Sequence, residues 1–247
     1  MTTSGGTRTS SSVWRWFSSV AAGVASWAYP PECIECGVLT SLGEPVCAAC
    51  AGKLPKPLPH GCRRCGEALS DARVDLCLRC GTRVRAFDAA LSLGLYQGPW
   101  GDLVRAFKFE GERAVGRWLA GQLGQRVADE TWGGTIACVT HVPMTAREER
   151  GRGFNPSRIL ARGAARSLGL PERRLLAKAR PTVPQRTLPA SARETNLRHA
   201  FRAVRSGNGS VLLVDDLLTT GATAEECART LKRAGFARVY VATVAHA

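Results

Sequence analysis

Eight of the ten cysteines occur as four C-x2-C pairs in the first third of the chain, and this pattern constrains the local fold more than any other feature of the sequence. The pairs are Cys33/Cys36, Cys47/Cys50, Cys62/Cys65 and Cys77/Cys80. Glycine follows three of the pairs and permits the tight turn that brings two thiolates to one metal. Four thiolates complete a tetrahedral zinc shell and leave no open coordination position. The spacing therefore predicts two structural zinc sites.

The spacing alone leaves the pairing of the cysteines open. Sequential pairing assigns the first four cysteines to one zinc and the next four to a second zinc, giving two consecutive zinc ribbons. Interleaved pairing is the alternative. Redox-active dithiols and an iron–sulfur cluster are other uses of C-x2-C pairs. Cys138 and Cys227 lie outside the pattern and are predicted to be buried small apolar residues.

From about residue 87 the sequence alternates short apolar runs with segments of helical periodicity. This alternation predicts an α/β fold, a mostly parallel sheet flanked by helices. The predicted strands cover residues 89–96, 135–142, 211–214 and 239–244, and the predicted helices cover residues 100–109, 113–127 and 156–168.

The predicted domain organisation has three parts. Residues 1–28 form a disordered tail and a short helix, residues 29–85 form the double zinc ribbon, and residues 86–247 form the α/β domain. The apolar residues near the N-terminus recur at helical spacing, which favours a helix that docks on the body of the protein or on a partner. A membrane-surface helix and a targeting peptide are the alternatives.

The third predicted strand leads into a candidate phosphate site. Asp215 and Asp216 stand at its end, and a small, hydroxyl-rich turn leads from them into a helix. The turn comprises Thr219, Thr220, Gly221, Ala222 and Thr223. Free N–H groups and the dipole at a helix N-terminus favour a phosphate. The two carboxylates would repel that phosphate, so we expect them to accept hydrogen bonds from sugar hydroxyls of the same ligand. The stretch predicts a ribose 5-phosphate site.

The formal net charge of +14 favours partners that carry phosphate, such as nucleotides, nucleic acid or anionic lipid. A solvated basic surface is the alternative. No stretch approaches the ~20 apolar residues that a membrane span needs. Paired cysteines of this kind are typical of a reducing compartment, so we expect a cytoplasmic location.

Five segments of the chain resemble the ComF family of competence-associated proteins, in the same order. They are PPECIECG with the cysteine pairs that follow, LYQGPWGDLVRAFKFEGE, HVPMTAREERGRGFN, VPQRTLPASARETNLRHAF and VLLVDDLLTTGAT. The last segment is also similar to the ribose-phosphate signature of type I phosphoribosyltransferases, which bind phosphoribosyl diphosphate (PRPP). The resemblance implies a type I phosphoribosyltransferase-like domain, PRPP binding together with Mg2+, and a role in DNA uptake.

The resemblance also implies roles for individual residues. Asp215 and Asp216 would hold the ribose 2- and 3-hydroxyls, and residues 219–223 would hold the 5-phosphate. The segment after strand 135–142 would hold the diphosphate, because guanidinium groups pair with it in bidentate fashion. Its arginines are Arg147, Arg150 and Arg152. Pairing of these arginines with neighbouring glutamates on a solvated loop is the alternative. The further candidates are Lys108 and, in a predicted active-site lid, Gln185, Arg186, Arg193 and Asn196.

Three functions fit these observations. The first is a PRPP-binding and nucleic-acid-binding protein of DNA uptake, with single-stranded DNA and proteins of the uptake machinery as partners. The second is an active phosphoribosyltransferase that transfers ribose 5-phosphate to an unidentified small acceptor. The third is an adaptor that recruits a protein partner through its zinc ribbons.

Overall fold

A computed structural model describes residues 31–55, 61–71, 73–179, 197 and 199–247. The predicted N-terminal tail and helix, and the predicted lid residues Gln185, Arg186, Arg193 and Asn196, lie outside the described residues. The helices are α1 Ala48–Lys53, α2 Leu78–Thr82, α3 Pro99–Arg105, the π-helix Ala106–Glu110, α4 Arg113–Ala128, α5 Ala146–Arg152, α6 Pro156–Ser167 and α7 Ala222–Arg233. The strands are β1 Ala89–Leu95, β2 Ile136–His141, β3 Leu176–Lys178, β4 Phe201–Ala203, β5 Ser210–Leu218 and β6 Arg238–His246.

The chain forms two compact units, Met1–Gly52 and Lys53–Ala247. The first group of four cysteines lies in the first unit. The second group lies in the same unit as all the named strands. The second group of cysteines is therefore built into the body that carries the sheet.

The main sheet has four parallel strands in the order β1, β6, β5, β2. The apolar residues of β5 and β6 form continuous buried runs because helices cover both faces of such a sheet. Strands β3 and β4 pair with each other in a separate antiparallel ribbon. In parallel sheets the carboxyl ends of the strands meet at one edge, which is where ligands bind.

Close helix packing supports this edge. Helix α4 lies against α6, and α6 in turn packs on β2 and β5. A Cβ atom added at Gly163 of α6 would lie 2.3 Å from the Cβ atom of Ala120 in α4. The two helices approach this closely because that position has no side chain. The start of α6, which follows the capping residue Asn155, is thereby held beside the end of β5.

Three elements differ in extent or type from the sequence-based prediction. Strand β5 runs to Leu218, so Asp215 and Asp216 lie within the strand and not at its end. The predicted helix over 100–109 changes from α to π geometry at Ala106. The arginine-rich segment is not a loop but the short helix α5, which begins with a capping box between Thr145 and Glu148.

Candidate functional site

The eight paired cysteines converge in two groups of four, in sequential order. Within each group the Sγ atoms all lie within 4.8 Å of one another. The Sγ atoms of Cys36 and Cys47 are 3.8 Å apart, and those of Cys65 and Cys77 are 3.6 Å apart. Four sulfurs at the usual Zn–S distance in a tetrahedron are about 3.8 Å apart. The residues therefore fit two Zn(Cys)4 sites, and the sequential pairing holds.

The second zinc site is part of the hydrophobic core. All four of its cysteines are buried, and they pack in one cluster with Phe87, Ala90 and Leu218 of the α/β body. Burial raises the pKa of the Cys62 thiol, but backbone N–H groups directed at its sulfur outweigh this and lower the pKa to about 7. A lowered pKa favours the thiolate, which is the form that binds metal.

The two aspartates of β5 are held by different elements. Consecutive side chains of a strand face opposite sides of the sheet, so the carboxylates diverge. Asp215 Oδ1 accepts hydrogen bonds from Ser157 Oγ at 2.8 Å and from the backbone N–H of Asp216 at 2.9 Å. Asp216 Oδ2 forms an ion pair with Lys108 Nζ at 2.8 Å, and only 10% of the Asp216 side chain is exposed. The structure thus brings Lys108, Asp215 and Asp216 into one cluster.

The surroundings of Asp215 raise its pKa. Burial raises the pKa of Asp215 to about 7, and the neighbouring Asp216 carboxylate contributes to the rise. The hydrogen bond from Ser157 and the charge of Lys108 act in the opposite direction but do not outweigh it. At neutral pH, Asp215 is therefore divided between its protonated and ionised forms. It can donate or accept a hydrogen bond, which suits it to sugar hydroxyls.

The candidate phosphate loop joins β5 to α7. Gly221 has a φ of 77° at the N-cap of α7, a conformation that side chains rarely adopt. The backbone N–H of Ala222 is 3.4 Å from Thr220 Oγ1. Helix α7 has twelve residues, so its N-terminal dipole is fully developed at this loop. Residues 219–221 line a recess of about 10 Å³, which is room for roughly one water molecule.

Arg85 connects this loop to the second zinc site. Its Nη1 donates to the carbonyl oxygen of Thr220 at 3.3 Å, and the residue is only 8% exposed. Burial lowers the pKa of Arg85, but a hydrogen bond with Cys80 outweighs it, and the pKa is raised. The Nε atom of Arg85 is buried and has no hydrogen-bond partner in the described part of the chain. Arg85 thus lies between a zinc ligand and the phosphate loop.

The three arginines predicted to hold a diphosphate all lie on α5. Arg147 and Arg150 are exposed and form no ion pair with any described residue. The neighbouring glutamates do not pair with them: Glu148 caps α5 and binds Lys178 Nζ at 2.6 Å. Arg152 lies over the ring of Phe109, 5.8 Å from its centroid. The alternative of arginine–glutamate pairs is not observed, and the exposed guanidinium groups remain available to an anion.

Sequence reasoning missed several residues of this site. Ser157 binds Asp215, but serine at the start of a helix is too common to single out. Arg85 shares its segment with Arg83 and Asp88, so its charge alone did not indicate that it is buried. Phe109 was passed over as part of a helical apolar pattern. It is 56% exposed, and the other exposed large hydrophobic residues in the described ranges are aliphatic.

Comparison with known proteins identifies the family. The chain is 32% identical over 201 residues to DNA utilization protein YhgH of Salmonella typhimurium, covering 79% of this chain and 88% of that protein. It is 29% identical over 225 residues to Competence protein F of Haemophilus influenzae, covering 87% of this chain and 97% of that protein. The chain belongs to the ComF family. Competence protein ComFC of Bacillus subtilis is also similar, with 27% identity over 200 residues, 78% of this chain and 80% of that protein.

A family model described as a double zinc ribbon domain matches residues 24–81 of this ComF-family chain. This match agrees with the two groups of four cysteines. The predicted fold class, an α/β protein with a mostly parallel sheet preceded by a double zinc ribbon, is confirmed. In the described part of the chain, no helix combines the length and apolar character required to cross a membrane.

Two solved phosphoribosyl-related enzymes are similar to part of the chain. Glutamine PRPP amidotransferase from B. subtilis matches with a TM-score of 0.36 and 26% identity, covering 51% of this chain and 26% of that chain. Adenine phosphoribosyltransferase from Leishmania tarentolae matches with a TM-score of 0.33 and 16% identity, covering 54% of this chain and 58% of that chain. At these scores the matches do not define the ligand of this chain.

Proposed function

We propose that this ComF-family protein binds PRPP, or a similar ribose phosphate, at the carboxyl edge of β5 and acts in the handling of DNA during uptake. One observation carries the proposal: Asp215 and Asp216 lie on β5, which leads directly into the loop at the N-terminus of α7, and Lys108 of the π-helix pairs with Asp216. Carboxylates suit the sugar hydroxyls and a helix N-terminus suits the 5-phosphate. A ligand that carries both groups at adjacent positions is a ribose 5-phosphate.

The proposed roles of the remaining residues follow from their charge. The exposed Arg147 and Arg150 on α5 would bind the diphosphate together with Arg152. Mg2+ would be bound chiefly by the diphosphate oxygens and would neutralise their charge. Arg186 and Arg193, outside the described residues, stay predictions as further phosphate ligands.

The nucleic-acid part of the proposal has separate support. The relatives are named for competence and DNA utilization. A net charge of +14 favours a polyphosphate partner such as single-stranded DNA, and proteins of the DNA-uptake machinery are further proposed partners. Thiolate zinc sites persist in a reducing environment, which supports a cytoplasmic location.

Calorimetric titration with PRPP and Mg2+ tests the ligand. We expect binding by the wild-type protein and loss of binding when Asp215 and Asp216 are both replaced by asparagine. Asp129→Asn is a matched control, because Asp129 is an exposed carboxylate at the far end of α4. Absence of binding at millimolar PRPP would refute the proposal.

Two further assays separate binding from turnover and from DNA handling. Release of pyrophosphate from PRPP in the presence of candidate bases would establish phosphoribosyl transfer to a small acceptor. Single-stranded DNA binding that weakens steeply with salt and survives the double aspartate change would establish a nucleic-acid surface separate from the ribose site.

A further inference from the structure

The π-helix Ala106–Glu110 contacts three parts of the candidate site through three consecutive side chains. Phe107 is fully buried and its ring lies 5.5 Å from that of Phe154, which follows α5. Lys108 forms the ion pair with Asp216. Phe109 lies beneath the guanidinium group of Arg152. Since π-geometry is rare and is frequently found at functional sites, its position between the acid pair and the arginine helix points to a role in ligand binding.

The exposure of Phe109 is not explained by folding. Its neighbour Phe107 is 0% exposed, whereas Phe109 is 56% exposed. Its nearest cation is Arg152, 5.8 Å from the ring centroid, and Arg113 lies 5.2 Å from the centroid of the nearby Phe154 ring. Lys108 on one side of it is paired with Asp216, and the exposed Glu110 follows it. An exposed aromatic ring paired with an arginine is an arrangement that binds stacked bases of nucleotides and single strands.

We propose that Phe109, with Arg152, is a stacking platform for a nucleobase next to the ribose site. This inference rests on the proposed function for its location: C1 of a bound ribose phosphate lies between the hydroxyls held by the aspartates and the diphosphate held by α5. The π-helix joins those two regions through Lys108 and Phe109. A base attached at C1, or a base brought to it, therefore lies within reach of the Phe109 ring.

The base can belong to a free nucleotide or to single-stranded DNA, and two titrations distinguish these sources. The first compares nucleoside 5-monophosphates with ribose 5-phosphate, which differ only by the base. The second compares a short oligothymidine with an abasic oligonucleotide of the same length and charge. We expect the base to tighten binding by about 5- to 100-fold in at least one titration.

The variant Phe109→Ala should remove that base-dependent gain and leave binding of PRPP and of the abasic strand within about twofold of wild type. Phe109→Trp should retain the gain because an indole ring also stacks. Val204→Ala is the matched control, because Val204 is an exposed apolar residue that follows β4 of the separate antiparallel ribbon. The unfolding midpoint of each variant shows whether the fold is kept.

The outcomes separate this inference from the proposed function. A gain that is unchanged in Phe109→Ala, or no gain from the base in either titration while PRPP still binds, would overturn the platform and leave the ribose site intact. If PRPP and ribose 5-phosphate do not bind, the proposed function fails. In that case the oligonucleotide titration alone tests the stacking platform. A base-dependent gain in affinity that is lost in Phe109→Ala supports the platform, and any other result overturns it.

Discussion

Replacing Asp215 with asparagine should stabilise the protein above neutral pH while weakening the proposed ribose site. The cause is the raised pKa of this carboxyl group, about 7 in the folded chain against 3.8 for the unperturbed group. Below pH 3.8 Asp215 is protonated in both the folded and the unfolded states and does not affect their balance. Between pH 3.8 and 7 the unfolded state ionises first, so the free energy of unfolding falls as pH rises. Above about pH 7 the loss is complete.

The size of the effect follows from the two pKa values. Each pH unit between the two pKa values corresponds to about 1.4 kcal/mol of the free energy of unfolding. The carboxyl group therefore lowers that free energy by at most about 4 kcal/mol at pH 8 and about 1.6 kcal/mol at pH 5. Asp215 is partly accessible to solvent, which screens the charge, so we expect about half of these values. Asparagine carries no charge, and its oxygen can still accept the hydrogen bonds from Ser157 and from the Asp216 backbone.

Urea unfolding at pH 5 and pH 8 measures the difference. We expect Asp215→Asn to exceed wild type by about 2 kcal/mol at pH 8 and by under about 1 kcal/mol at pH 5. The exposed control Asp129→Asn should change the free energy of unfolding by no more than about 0.5 kcal/mol at either pH. If Asp215→Asn is less stable than wild type at pH 8, or is equally stabilised at both pH values, then the carboxyl is not held at a raised pKa and the reasoning fails.

Four further substitutions test which contacts stabilise the α/β body. Cys80→Ser removes a ligand of the second zinc site and should lower the free energy of unfolding of the α/β body by about 3 kcal/mol and its Tm by roughly 10 °C, as measured by calorimetry. Cys36→Ser removes a ligand of the first zinc site and should leave that unfolding transition unchanged. Lys108→Met should destabilise the protein by about 2 kcal/mol in urea unfolding, because it leaves Asp216 as an unpaired, mostly buried carboxylate; a loss that is no smaller in the Asp216→Asn background would contradict this cause. Glu225→Ala should cost about 2 kcal/mol in urea unfolding, because both carboxylate oxygens accept the backbone N–H of Ala86 at 3.1 Å; a neutral result would show that water replaces them.

The zinc sites and the buried strands could be predicted from the sequence, because each imposes a strict geometric pattern on the residues that form it. Zinc requires four thiolates at short range, so the spacing of the cysteines was enough to predict two sites, although not their pairing. The apolar runs of β5 and β6 match a strand that is buried on both faces. The predicted core strand nevertheless ended too early, because Asp215 and Asp216 are polar and their partners Ser157 and Lys108 are distant in sequence.

The arginine-rich segment shows a different limit. Its charges suggested a loop, yet the capping box between Thr145 and Glu148 and the bond from Lys178 to Glu148 stabilise a helix. The capping box is a local sequence pattern, but the bond from Lys178 depends on β3, whose position is fixed by tertiary packing and not by local sequence. The same applies to the buried position of the second zinc site, since its packing partners follow it in the chain.

The position of β6 affects how the sheet can assemble. Among the named strands, β1 pairs only with β6, yet nearly the whole α/β body separates them in sequence. During synthesis β1 cannot pair until its partners in β6, residues 240–246, have left the ribosome. A nascent chain that stops before β6 would expose the edge of β5 and leave the segment carrying Lys108 and Phe109 without its sheet neighbour. The candidate site is therefore among the last parts of the molecule to become complete, so a truncated chain would not acquire it.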